Sequence, residues 1–148
     1  MRQLERICKK YNVSLCYLFG SQAEKGLHLL QGEEVEIEDR ESDLDFAVLF
    51  RTLPENIPQS YAKLINELQD MVTPFHADLV FLHEVDHLIQ LEAISGYCIY
   101  AESEEIQSEY EERVMMFAAD EIEIFRRNEK DLLEAIEDGY REFEYKTD

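Results

Sequence analysis

Hydrophobic residues change period several times along this chain, and each change marks an element. Leu4, Ile7, Cys8 and Tyr11 recur at helical spacing, which predicts a short amphipathic helix over residues 2–11 closed by Asn12. The run Val13-Ser14-Leu15-Cys16-Tyr17-Leu18-Phe19 is β-branched, aromatic and almost wholly apolar, the pattern of a strand covered on both faces, and it leads straight into Gly20-Ser21. Residues 26–41 turn polar and acidic, yet Val35 and Ile37 alternate with Glu34, Glu36 and Glu38, predicting an inserted, exposed strand or hairpin arm. Asp43 to Phe50 reads as a second core strand, and Pro54 and Pro58 bracket the loop into the next helix. That helix keeps its period through Ile57, Tyr61, Leu64, Ile65, Leu68, Met71 and Val72 until Pro74 stops it. Ala77 to Leu82 follows as a third buried strand, residues 85–94 as a short helix, Ser95-Gly96 as a turn, and Tyr97 to Tyr100 as a last strand whose tyrosines fill the core.

From Ser103, an N-cap, the stripe Ile106, Tyr110, Val114, Phe117, Ile122, Phe125, Leu132, Ile136, Tyr140 and Phe143 runs nearly to the end. A helix from 103 to 145 would span about 60 Å at the usual rise per residue, longer than a small domain. Either it breaks near Asn128 or its apolar face meets another chain. The pattern divides into a core over 1–102, interrupted by the acidic insertion at 26–41, and a helical segment over 103–148 that packs on it. The fold class is α/β, of the α+β type: a small mixed sheet flanked by helices.

Composition narrows the function. At 148 residues, with 45% apolar and 32% charged side chains, the chain suits one globular domain. No apolar run approaches the roughly 20 residues of a membrane helix. The net charge of −20 disfavours nucleic-acid backbones and anionic lipid, and any bound nucleotide would need divalent cations to neutralise its phosphates. A local basic patch at Arg6, Lys9 and Lys10 is the one exception to that field. Three cysteines without CxxC spacing, and an N-terminus without an apolar leader, predict reduced thiols in the cytoplasm.

Three features carry chemistry. Period-two alternation sets Asp43 and Asp45 on one face of their strand, Asp78 interrupts another apolar strand, and Gly20-Ser21 forms a strand-to-helix turn. Singly, each has a plain structural reading: a turn, a solvated rim, a cap on a strand entrance. Together they form a set of hard oxygen ligands for Mg²⁺ beside a phosphate-gripping turn, in which two divalent ions would hold all three carboxylates ionised. The set reads as a two-metal phosphoryl-transfer site.

The stretches Leu18-Phe19-Gly20-Ser21-Gln22-Ala23 and Ser42-Asp43-Leu44-Asp45-Phe46-Ala47-Val48-Leu49-Phe50, with Ala77-Asp78-Leu79-Val80, resemble the active-site signature of the minimal nucleotidyltransferases of the DNA polymerase β-like superfamily. The resemblance spans residues 1–118 in element order. It implies the nucleotidyltransferase fold and Mg²⁺-dependent transfer of a nucleoside monophosphate from a triphosphate such as ATP. Asp43, Asp45 and Asp78 would be the metal-binding and catalytic residues, with Asp78 also helping to deprotonate the acceptor hydroxyl. Gly20, Ser21 and Lys25 would bind the nucleotide. It also implies a helical HEPN-domain ribonuclease toxin as partner, with this chain as antitoxin adenylylating a toxin tyrosine. Two departures stand out: 21 residues separate Ser21 from Asp43, and the basic positions after Gly-Ser are Gln22 and Glu24. These leave open an antitoxin whose site has decayed and which neutralises its toxin by binding alone. A small-molecule nucleotidyltransferase is a third reading, for which residues 1–148 offer little room for a substrate domain.

His83-Glu84-Val85-Asp86-His87 matches the HExxH pattern of zinc proteases, but His83 follows a strand directly and the helix is expected to begin near Val85 or Asp86, so the two histidines should not share a helix face. His28 and His76 have no clustered partners and read as surface residues.

Overall fold

The computed structural model describes residues 1–35 and 43–147, with side chains for all of these except 125, 132 and 139–147. Its elements are α1 (Arg2–Lys10), β1 (Val13–Phe19), α2 (Ala23–Leu30), β2 (Asp43–Phe50), α3 (Ile57–Val72), β3 (His76–Phe81), α4 (His87–Ile94), β4 (Tyr97–Ala101) and α5 (Glu104–Thr147), with a 3₁₀ turn at Leu82–Glu84. The four strands form one mixed sheet in the order β3-β2-β1-β4. β1 runs antiparallel to β2 and β4, while β2 and β3 run parallel. Every residue of β1 is buried because it is central and both sheet faces are covered, as its unbroken apolar run predicts.

Alternation assigns each face its own core. On one face Cys16, Leu18, Phe46 and Val48 join Leu79 and Phe81, and meet Leu4 and Ile7 of α1 and Leu64, Leu68 and Val72 of α3. On the other, Leu15, Tyr17 and Ala47 meet Leu82, Ala93 of α4, and Tyr110 and Val114 of α5. Side-chain caps set the helix starts: Asn56 accepts the Gln59 N–H at 3.1 Å, Asp86 the Ile89 N–H at 2.9 Å, and Ser103 the Ile106 N–H at 3.1 Å. Asn12 closes α1 with a positive φ of 57°, a conformation its short polar side chain tolerates.

Three expectations need correction. Residues 26–30 do not begin a polar insertion but form the second half of α2, because Leu27 and Leu30 follow Ala23 at helical spacing and, with Leu29, pack on the first core. Residues 31–35 form a turn and irregular chain, and the rest of the expected insertion, 36–41, lies outside the described residues. β3 is not buried throughout: as an edge strand it alternates, with His76 and Asp78 exposed and Ala77, Leu79 and Phe81 buried. The break near Asn128, one of the two alternatives for the C-terminal stripe, is absent. α5 runs unbroken from Glu104 to Thr147, and the exposed pairs Arg127–Glu123 at 2.6 Å and Lys130–Glu134 at 4.0 Å bridge successive turns there.

α5 changes character along its length. Tyr110, Val114 and Ala118 are buried in the core, Glu121 and Ile122 are half-buried, and the described side chains from Glu123 to Asp138 are exposed. Its first half therefore belongs to the same core as the sheet, although it follows β4 in sequence. Among the described residues no helix is long and apolar enough to cross a membrane.

Candidate active site

β1 delivers its chain end to the site. After Phe19 the backbone turns through Gly20 at φ +83°, a conformation that side chains rarely adopt, and a Cβ there would stand 2.3 Å from Asp45 Oδ2. Gly20 thus sets the Asp45 carboxylate directly against bare backbone. The Gly20 carbonyl accepts the Ala23 N–H at 3.3 Å, so the turn passes into α2 with Ser21 exposed at its entrance.

The carboxylates follow from strand register. Asp45 pairs with Phe19 on β1 and with Asp78 on β3, and Asp43 pairs with His76. Residues paired across parallel strands share a face, so Asp43, Asp45 and Asp78 project together from the second face, beyond the cover of α4 and α5. Asp45 is half-buried, and burial pushes its carboxyl above the usual range, with the charges of Asp78 and then Asp43 acting in the same direction. Burial, then the charge of Asp78, likewise pushes the Tyr61 hydroxyl up.

Asp78 is exposed rather than buried, because period-two alternation on an edge strand turns it outward. Its Oδ1 accepts the Leu79 N–H at 2.9 Å, which orients the carboxylate on its own backbone. Its expected place inside a buried strand therefore does not hold, and it is the register opposite Asp45 that brings it to the site. Among the described residues no three acidic, histidine or cysteine side chains are arranged so as to hold a metal ion by themselves. An open row of carboxylates fits Mg²⁺ all the same, since that ion takes one or two protein carboxylates and fills its shell with water and substrate phosphate.

Two cavities adjoin the row. One of about 440 Å³ is lined by Phe19, Gly20, Asp45, Leu91, Glu92 and Ser95. The next, of about 410 Å³, shares Gly20, Glu92 and Ser95 and adds Ser21, Ala23, Glu24, Gly96 and Tyr97. The Ser95-Gly96 turn closes this wall, because a Cβ at Gly96 would meet the Leu18 carbonyl oxygen at 2.3 Å. Lys25 lines neither cavity; the α2 residue that does so with charge is Glu24.

Sequence reasoning missed four of these residues. His76 is not without a partner: its Nδ1 lies 2.8 Å from Asp43 Oδ1, a contact that β2–β3 register alone creates. His28 also has partners, Glu33 and Glu24. Tyr97 is 39% exposed and lines the second cavity instead of filling the core, whereas Tyr100 packs partly against it. Glu92 and Ser95 gave no signal beyond the Ser95-Gly96 turn itself.

Other sequence features resolve away from the site. His83 lies in the 3₁₀ turn, stacked 5.8 Å from Phe81, while His87 opens α4, pairs with Glu121 and stacks on Phe117 at 5.0 Å, so the HExxH residues share no helix face. The basic residues of α1 are offset by acids, Lys9 by Glu5 at 2.8 Å and Lys10 by Glu67 at 3.0 Å.

The family model described as "Polymerase beta, Nucleotidyltransferase" matches residues 2–105. No curated protein sequence matches the chain. Among solved structures, a chain of a toxin–antitoxin complex with AMP-PNP is similar at 16% identity and a TM-score of 0.64, over 88% of this chain and 94% of that one. A chain from the complex of tri-AMPylated Shewanella oneidensis HEPN toxin with MNT antitoxin is similar at 16% identity and a TM-score of 0.60, over 88% and 92%. At that identity the likeness is one of fold.

Proposed function

The chain belongs to the polymerase beta nucleotidyltransferase family, and from that premise we propose that it transfers AMP from ATP to a tyrosine hydroxyl of a HEPN-type ribonuclease toxin and so acts as that toxin's antitoxin. The observation that carries this reading is the in-register placement of Asp43, Asp45 and Asp78 on adjacent strands against the bare backbone of Gly20. The solved relatives support its finer points: one complex holds AMP-PNP, another an AMPylated HEPN toxin, and a third carries glutamate in place of two aspartates two residues apart.

In this reading Asp43 and Asp45 would hold two Mg²⁺ ions, with Asp78 completing the ligand set. When bound, such ions would neutralise the triphosphate and the charge that builds on its departing oxygens. Ser21, through its N–H and hydroxyl at the entrance of α2, grips the phosphates that Gly20 lets approach. Asp78, exposed at the edge, takes the proton of the acceptor hydroxyl as that oxygen bonds to the α-phosphorus; the bond from the α-phosphorus to its bridging oxygen breaks, and pyrophosphate leaves. A protein acceptor suits the net charge of −20, which repels a nucleic-acid one. The three free cysteines suit the cytoplasm.

A second reading, an antitoxin with a decayed site that neutralises by binding alone, is favoured by the charge of the walls: Glu24 and Glu92 line the cavity where triphosphate would lie. Transfer of α-labelled AMP to the purified toxin separates the two. Label on the toxin with the native chain and none with Asp43→Asn/Asp45→Asn supports the transferase; neutralisation by both chains without label supports binding alone.

A further inference from the structure

The outer half of α5 leaves the core and exposes a face that the fold does not use. Residues 123–147 extend about 37 Å beyond the last half-buried residues and cover more than three heptads. Leu133 and Ile136 are each 59% exposed there, about three and four turns along the stripe from half-buried Ile122. In proteins most helical stability comes from packing an amphipathic face, so this exposed apolar seam calls for a companion.

Charge order along the seam selects which companion. Arg126, Arg127 and Lys130 face a single acid within residues 126–130, whereas residues 131–138 hold Asp131, Glu134, Glu137 and Asp138 and no cation. Such an order is complementary to itself when reversed. We propose that two copies of this chain pair through the outer halves of α5 in antiparallel register about residue 132, so that Arg126, Arg127 and Lys130 of each copy lie opposite Asp138, Glu137 and Glu134 of the other. A parallel pair would set cation on cation and acid on acid. The i to i+4 contacts that Arg127 and Lys130 make within the helix are exposed and exchange at little cost. The acidic cores do not prevent pairing, since Ile122 of each copy lies about 15 Å along the helix from the two-fold axis and the two Ile122 residues stand about 30 Å apart, several times the ~8 Å Debye length.

This inference goes beyond the proposed activity and needs neither nucleotide nor toxin to test. Sedimentation equilibrium of the full chain at tens of micromolar and physiological salt should return twice the 17.5 kDa of one chain. The Arg126→Glu/Arg127→Glu/Lys130→Glu chain and the Glu134→Lys/Glu137→Lys/Asp138→Lys chain should each weaken self-association by at least about tenfold, and their equimolar mixture should restore it. Leu133→Asp/Ile136→Asp should be monomeric with an unchanged near-ultraviolet spectrum, because neither residue touches the core. A monomeric native chain, or a dimer that survives both charge variants, overturns the proposal. Loss of toxin modification with dimerisation intact would instead strike the proposed activity alone.

Discussion

The two faces of the sheet are covered to different extents. On the first, α1 and α3 seal the alternating residues of β1, β2 and β3 from end to end, leaving Leu44, Phe46 and Val48 with essentially no solvent exposure. On the second, α4 and α5 cover Leu15, Tyr17 and Ala47 but stop short of Asp45 and Asp43, which lie on the same face of β2. One strand therefore serves both ends of the comparison: its even positions hold the fold together, and its odd positions supply the candidate chemistry where cover runs out. A carboxylate row tolerates such a place because water and substrate reach it, whereas under α3 it would face the full cost of desolvation.

The comparison breaks most visibly on the sealed side. Leu64→Ala removes a fully buried side chain from α3 and should destabilise the protein by about 2–5 kcal/mol, read as a lower chemical-denaturation midpoint at unchanged slope. Nucleotide affinity of the folded fraction should not change. If it does, the two faces are not separable in the way their packing implies.

Asp45→Asn should act in the opposite sense. Transfer should fall by about a hundredfold or more if Asp45 holds metal, while stability at pH 7 should rise. The sign follows from linkage: a carboxyl raised above its unfolded value binds more protons in the native state, so its contribution falls as pH climbs from the unfolded value through the folded one and stays lost above it. Thermal midpoints of the native and Asn proteins should therefore converge on acidification and separate toward neutrality. Mg²⁺ should raise the midpoint of the native chain but not of the variant. Equal midpoints at all pH values would remove the crowding of Asp43, Asp45 and Asp78 from the account.

Gly20→Ala tests the seam between the two faces. The substitution forces a side chain into φ +83° and to 2.3 Å of Asp45 Oδ2, so backbone strain of about 1–3 kcal/mol should accompany a displaced carboxylate. Calorimetry of Mg²⁺-dependent ATP binding should then show weaker affinity beyond any loss of folded protein. An unchanged affinity would mean that the turn positions the chain but not the ligand.

How much of this was legible beforehand depended on whether a feature is local. Tyr17 and Leu18 announce a doubly covered strand by composition alone, and Asp43 and Asp45 share a face by alternation, so strand bounds and carboxylate pair can be read from consecutive residues. His76 against Asp43, and Glu92 beside Gly20, arise from pairing and packing between segments distant in sequence, for which no single stretch carries a signal. Asp78 teaches the converse: its apolar neighbours suggest burial, but only sheet order reveals that its strand lies at an edge. The polar stretch from Gly26 misled at its start, because Leu27, Leu29 and Leu30 belong to α2.

The smallest effect concerns how α5 is fastened to the incompletely covered face. Ser103 accepts the Ile106 N–H at 3.1 Å at the start of the helix, and Tyr110 donates its hydroxyl to Gln90 Oε1 at 2.9 Å, linking α5 to α4. Ser103→Ala should cost about 1 kcal/mol, as the loss of an N-cap does, and Tyr110→Phe about 0.5–1.5 kcal/mol for one buried hydrogen bond with packing retained. Because α4 supplies Glu92 and the turn after it supplies Ser95, loosening this link should also raise hydrogen exchange in α4 ahead of α3. Equal protection in both helices would show that the site wall is held by the sheet rather than by α5, and the second face would then be as firmly fixed as the first despite its shorter cover.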